Sequence, residues 1–166
     1  MDHGLLAFAY LATCVAILAP RFFAARWGAV AVAAVAAFAA NLLWLRFAWT
    51  AVAGISGRLP AAVKPHAALL VGSALVAACA AFLLAAAANA WAMRRDRAFL
   101  LMAALTVLLT GTAFGITIRF SSRYVMTAFP FALLMVQPFF TPSRGAAWRL
   151  AAGAALGAAS LGSYFW

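Results

Sequence analysis

The chain has 166 residues, of which 69% are hydrophobic and 8% are charged. A soluble domain carries roughly 25% charged residues, so this composition excludes a soluble globular protein and predicts an integral membrane protein. The formal net charge is +10, but the cations lie singly or in small groups between apolar runs, which is typical of membrane-flanking arginines and argues against nucleic-acid binding.

Uncharged apolar runs follow one another along the chain and are continuous rather than alternating, which excludes β-strands. A bilayer core of about 30 Å needs ~20 helical residues, and each run is close to that length. We therefore predict an all-α fold with a single domain, residues 1–166, and about six transmembrane helices. In chain order the runs are Gly4–Pro20, Trp27–Leu45, Ala67–Met93, Ala98–Ile118, Tyr124–Ser143 and Leu150–Trp166.

Arginine and lysine residues are unevenly distributed between the connections. Seven lie in the first, third and fifth connections, five lie in the second and fourth, and neither terminus has any. Because cytoplasmic loops carry the excess of Lys and Arg, we predict cytoplasmic odd connections and both termini outside, in a bacterial inner membrane. The odd connections hold Arg21, Arg26, Arg94, Arg95, Arg97, Arg144 and Arg149, and the even ones hold Arg46, Arg58, Lys64, Arg119 and Arg123.

Few polar residues lie within the apolar runs. Buried amides must find partners, so we expect Asn41, Asn89 and Gln137 to form interhelical hydrogen bonds. Cys14 and Cys79 are expected to be small core residues rather than a disulfide or a metal pair. No set of metal ligands occurs in the sequence, so neither a metal nor a cofactor is expected.

Three further motifs each have a functional and a structural interpretation. The sequence GISG, Gly54–Gly57, matches the Gly-x-Ser-Gly pattern of intramembrane serine proteases, but it equally fits a loop turn. Lys64–His66 are expected to cap the third helix. Thr106, Thr110 and Thr117 share one face of the fourth helix, where they either line a polar groove or bond the carbonyl four residues earlier.

Glycines in small-xxx-small spacing occur in two of the runs. Gly111 and Gly115 lie in the fourth, and Gly153 and Gly157 lie in the last. Small residues let helices approach closely in lipid, so these pairs predict intramolecular helix packing, with a dimer contact as the alternative.

The most distinctive polar stretch is RFSSRY, between the fourth and fifth runs. Arg119 and Arg123 are four residues apart, so a helical turn would place them on the same side. Ser121 or Ser122 would cap the fifth helix, whose positive dipole end would then point at the same spot. This combination predicts either a site for an anion, preferably a phosphate, or two arginines that reach the lipid headgroups as boundary markers.

The sequence SSRYVMTAFPF, Ser121–Phe131, resembles the late transmembrane region of GT-C glycosyltransferases. It is most similar to the dolichol- or polyprenyl-phosphate-dependent mannosyltransferases, including the GPI-mannosyltransferase-like branch. The resemblance implies that Arg123, with Tyr124, faces the lipid-phosphate sugar donor on the outer side of the membrane.

The sequence departs from that family in its acidic residues. Glycosyl transfer needs a carboxylate to deprotonate the acceptor or to hold a metal. The chain has only Asp2, on a short terminus, and Asp96, in a connection predicted to be cytoplasmic, so the catalytic residues are unknown. We expect a carboxy-terminal GT-C-like module that binds a polyprenyl-phosphate sugar, as a fragment, as a subunit completed by a second membrane subunit, or as a non-catalytic descendant. The alternatives are a non-enzymatic structural or assembly subunit and a small transporter.

Overall fold

The computed structural model describes residues 2–47, 61–115, 123–140, 145–149 and 151–155. All regular secondary structure in these ranges is helical, which confirms the all-α prediction for this part of the chain. The helices are α1 (Asp2–Leu18), α2 (Trp27–Ala40), α3 (Lys64–Ala92), α4 (Arg97–Gly111), α5 (Arg123–Met126) and α6 (Phe129–Val136). Residues 146–149 and 151–155 are also helical.

Within the described ranges, three helical segments are long and apolar enough to cross a membrane. They are α2 with its π-helical extension (Trp27–Leu45), α3 itself, and α4 with its 3-10 extension (Arg97–Gly115). These segments match the second, third and fourth predicted runs and indicate a membrane protein. The apolar helices His3–Leu18 and Phe129–Phe139 are shorter, so six spans and the placement of the termini stay predictions.

The prediction of one continuous helix over Tyr124–Ser143 is wrong. Helix α5 ends at Met126, a turn follows, and α6 ends at Val136 before a short 3-10 helix. Proline explains the first break, because the ring nitrogen of Pro130 cannot donate the hydrogen bond that the carbonyl of Met126 would receive in a continuous helix. Pro138 similarly follows the end of α6.

Consecutive long elements run in opposite directions. The rings of Phe22 and Phe82 are 5.9 Å apart, and Phe139 lies 5.4 Å from Phe22 and 6.3 Å from Phe99. The 3-10 helix Pro20–Arg26, the α3–α4 connection and the end of α6 therefore meet at one end of the bundle, which we call the arginine end. Its described arginines include Arg21, Arg26, Arg94, Arg95 and Arg97.

Helix α1 packs against α3, α4 and α6 and supplies much of the core. Leu11 of α1 is fully buried, as are Phe22 and Phe82. By contrast, Val30 is the one buried residue of α2 between Trp27 and Ala40, and large apolar side chains such as Val32 and Val35 are exposed. This surface suits contact with lipid rather than water.

Candidate functional site

The predicted phosphate site falls largely outside the described residues. Arg119, Ser121 and Ser122 lie outside them, and so do the side chains of Arg123 and Tyr124. The backbone of these last two residues opens α5. The motif Gly54–Gly57, Thr117 and Gly157 also lie outside the described residues.

Helices on both sides of this junction are described. The extension of α4 ends at Gly115, and α5 is anchored by Val125, which is 1% exposed. The described part of α5 has four residues, and the residues before it, 116–122, lie outside the described ranges. The capping and dipole contribution predicted at Ser121 or Ser122 therefore stays a prediction, as does the role of the two arginines.

The first residues of α1 lie at the same end of the bundle as this junction. Gly4 packs directly under the ring of Phe114, so that a Cβ at position 4 would overlap the ring. Asp2 is the first residue of α1, which corrects the expectation of a short terminus outside the helix. The chain thus brings one of its two acidic residues to the end at which α4 leads into the junction.

The other acidic residue has a structural role at the arginine end. Asp96 is the N-cap of α4, and its Oδ1 accepts a hydrogen bond from the backbone N–H of Phe99 at 3.0 Å. An aspartate at this position satisfies one of the free N–H groups of the first turn. Asp96 therefore needs no catalytic explanation.

The side chain of Asn41 forms three hydrogen bonds with described residues. Its Nδ2 donates to the carbonyl of Phe47 at 3.0 Å and to Oγ of Ser73 at 2.9 Å, and its Oδ1 accepts from the N–H of Phe47 at 3.0 Å. Ser73 in turn donates to the carbonyl of Leu69. The asparagine side chain thus pairs with both backbone groups of Phe47 and joins α2 to α3, which confirms the predicted interhelical bond.

The backbone around Asn41 is shaped to make this contact. The N–H of Arg46 bonds the carbonyl of Asn41 five residues earlier, and Arg46 adopts a left-handed conformation with φ of 48°. The turn brings the carbonyl of Phe47 against Gly72, where any side chain would overlap it. Sequence reasoning missed this turn; the glycine one residue before Ser73 was the available signal.

The structure confirms the hydrogen bond predicted for Asn89, contradicts the one predicted for Gln137, and decides between the two interpretations of Thr106 and Thr110. Asn89 donates to the carbonyl of Phe22 at 2.8 Å and so joins α3 to the first connection, as expected. Gln137 is exposed, so its predicted interhelical bond is wrong. Thr106 and Thr110 are fully buried and each donates to the carbonyl four residues earlier, so neither lines a polar groove.

The cysteines and glycines of the described chain agree with their predictions only in part. Cys14 and Cys79 are buried and free, as expected of small core residues. The described residues contain no cluster of His, Cys, Asp and Glu that could hold a metal. No described atom lies within 4 Å of a Cβ at Gly111 or Gly115, so the described part of the chain shows no packing at this pair and the prediction stays open. Gly153 does pack, because a Cβ at this position would lie 3.3 Å from a methyl group of Leu18.

Two apolar grooves run along the outside of the bundle. The larger, which we call the alanine groove, lies between α1, α2 and α3 and has a volume of about 410 Å³. Its walls include Ala16, Phe23, Trp27, Ala34 and Ala81. The second lies between α3 and α4 and has a volume of about 380 Å³.

Comparison with protein-family models, with curated proteins and with solved structures found no match for this chain. The GT-C resemblance therefore continues to depend on residues 121–131 alone.

Proposed function

We propose that this chain is an integral membrane protein that binds a lipid-linked phosphate, such as a polyprenyl-phosphate sugar, at the Arg119–Tyr124 junction. The observation that carries the proposal is that Asp2 is the one acidic residue at the end of the bundle where α5 begins, while the sequence has both Arg119 and Arg123 at this junction. Asp96 is engaged as the cap of α4 at the other end. Two arginines with at most one carboxylate at this junction would leave an excess positive charge for a phosphate.

The proposal assigns binding rather than complete catalysis to this chain. Glycosyl transfer requires a carboxylate near the acceptor, and Asp2 is the only residue of the chain left for that role. A module of this kind would present the lipid-linked donor to a second membrane subunit that supplies the acidic residues. The GT-C-like sequence SSRY agrees with this division of labour, and the positive-inside rule predicts that the site faces outward.

Binding of a short-chain polyprenyl phosphate to the purified protein tests the proposal. An arginine binds phosphate through two parallel donors, which a lysine ammonium cannot reproduce. One charge-assisted hydrogen bond is worth roughly 1.5–3 kcal/mol, so Arg123→Lys should weaken binding by about ten- to a hundredfold. Arg46→Lys is the matched control, because Arg46 is exposed at the same end of the bundle. Equal binding by both variants, or no binding by the wild type, would refute the assignment.

A structural or assembly subunit is the second candidate. Gly111 and Gly115 face open space on α4, and small residues in this spacing allow a helix of another membrane protein to approach closely. Gly111→Leu should then abolish co-purification of a partner, whereas Gly28→Leu, also in open space, should retain it. A transporter has less support, because both described grooves are apolar and the buried polar side chains of the described chain all have partners.

A further inference from the structure

The alanine groove is large enough for part of a hydrocarbon chain. Alanines from α1, α2 and α3 face each other where larger side chains would close the space, which leaves about 410 Å³. An apolar cavity of ~150 Å³ holds one benzene molecule, so the groove has room for an apolar segment more than twice that size. It follows α2 from Trp27 to Ala34, or ~10 Å at 1.5 Å per residue.

The described part of the last apolar run does not cover this groove. Gly153 lies against Leu18, two residues after the groove residue Ala16. Residues two apart on a helix point about 160° away from each other, because each residue turns the helix by ~100°. Residues 151–155 therefore pack on the other side of α1.

Two arginines belong to the segment that lines the groove at the arginine end. Pro20 and Phe23 line the groove and belong to the same 3-10 helix as Arg21 and Arg26. Both arginines are exposed, and neither forms a hydrogen bond or ion pair with a residue that the structure describes. Trp27, which is 67% exposed, lies beside them, as is common for tryptophan at the headgroup level.

We propose that the alanine groove binds one acyl chain of an anionic glycerophospholipid, with the lipid phosphate held by Arg21 and Arg26. The apolar walls select a hydrocarbon chain and the two guanidinium groups select an anionic headgroup. This site is at the opposite end of the bundle from Arg123, and its occupancy does not depend on the proposed polyprenyl-phosphate site. The arginine end is the one predicted to be cytoplasmic, so the lipid would come from the inner leaflet.

Native mass spectrometry of the detergent-purified full chain with dioleoyl phosphatidylglycerol or dioleoyl phosphatidylcholine tests this site. Wild type should retain one phosphatidylglycerol about tenfold more tightly than phosphatidylcholine. Arg21→Gln combined with Arg26→Gln should reduce that ratio to about one. Arg94→Gln combined with Arg95→Gln removes the same charge from the same end of the bundle and should leave the ratio unchanged.

Filling the groove provides a second, independent variant. Ala16 is exposed and lines the groove, so Ala16→Phe should occupy it and abolish the tight phosphatidylglycerol adduct. Ala36 is exposed but lies outside the groove, so Ala36→Phe should bind like wild type. In wild type, a phosphatidylglycerol with a photoreactive acyl chain should crosslink to α1 or α2. Crosslinks confined to other helices, equal affinity for the two lipids, or unchanged binding in Ala16→Phe would overturn the proposal. Arg123→Lys should not alter phosphatidylglycerol binding, so the two proposed sites can fail separately.

Discussion

Replacing Asn41 with leucine tests whether the end of α2 is held by a side chain. The substitution removes the three hydrogen bonds that Asn41 forms with Phe47 and Ser73 while roughly preserving its volume. Hydrogen bonds between helices in membranes average ~0.6 kcal/mol, so three contribute about 2 kcal/mol. The backbone groups of Phe47 also lose their partner, but water reaches them because Phe47 is half-buried, so this adds ~0–2 kcal/mol rather than the ~1–3 kcal/mol of a fully buried unpaired group. We therefore expect the free energy of unfolding to fall by about 2–4 kcal/mol.

Thermal unfolding of the purified protein in a mild detergent measures this effect. At the lower figure, ~2–4 °C per kcal/mol gives a decrease in Tm of about 4–8 °C. Gln137→Leu is the matched control, because it also replaces an amide with leucine but at an exposed position. Gly72→Ala should destabilise as well, since its methyl group would overlap the carbonyl of Phe47. A change in Tm below about 1 °C for Asn41→Leu would show that this turn is held by other contacts.

In a cysteine-free background, single cysteines in Arg97→Cys and Ser122→Cys should react with impermeant reagents from opposite sides of the membrane, and labelling of position 97 in intact cells would reverse the predicted orientation. Gly4→Ala should lower the unfolding free energy by about 1–3 kcal/mol through overlap with an aromatic ring, whereas Gly28→Ala, in open space, should be neutral or stabilising in a denaturation experiment. Asp96→Ala should lower the free energy of unfolding by about 1 kcal/mol, and Asp96→Ser should lose much less, because serine also caps a helix. An equal loss in both variants would argue against a capping role.

Sequence patterns located the long helices well because charged residues mark where the chain leaves the apolar phase. The predicted run Ala67–Met93 corresponds to a helix that begins at Lys64, and the run Ala98–Ile118 corresponds to one that begins at Arg97. Hydropathy depends on composition alone and is insensitive to backbone breaks. It therefore missed the interruption before Pro130, although proline chemistry explains it afterwards.

Contacts between distant parts of the chain were harder to predict. The cost of a buried amide predicted that Asn41 would bond another helix. Its pairing with Phe47 also requires the left-handed turn at Arg46, which brings the carbonyl of Phe47 against Gly72 of α3. The open surface at Gly111 was not predictable, because the spacing of small residues is the same whether a helix packs within its own chain or against a partner. The phosphate-site prediction rests on Arg119 and Arg123 and stays a prediction.

The aromatic contact between Phe22 and Phe139 has a consequence for the order of assembly during translation. Bonds such as the one from Asn41 to Ser73 join helices that are neighbours in the chain, so the α2–α3 hairpin can form while later segments are still being synthesised. Phe22 and Phe139 are separated by most of the chain, and their rings can meet only after α6 and the residues that follow it have been synthesised. Nascent chains stopped before Phe139 should therefore contain a paired α2–α3 hairpin in which Phe22 lacks its contact with the ring of Phe139. Closure of the arginine end is then a late step in biogenesis.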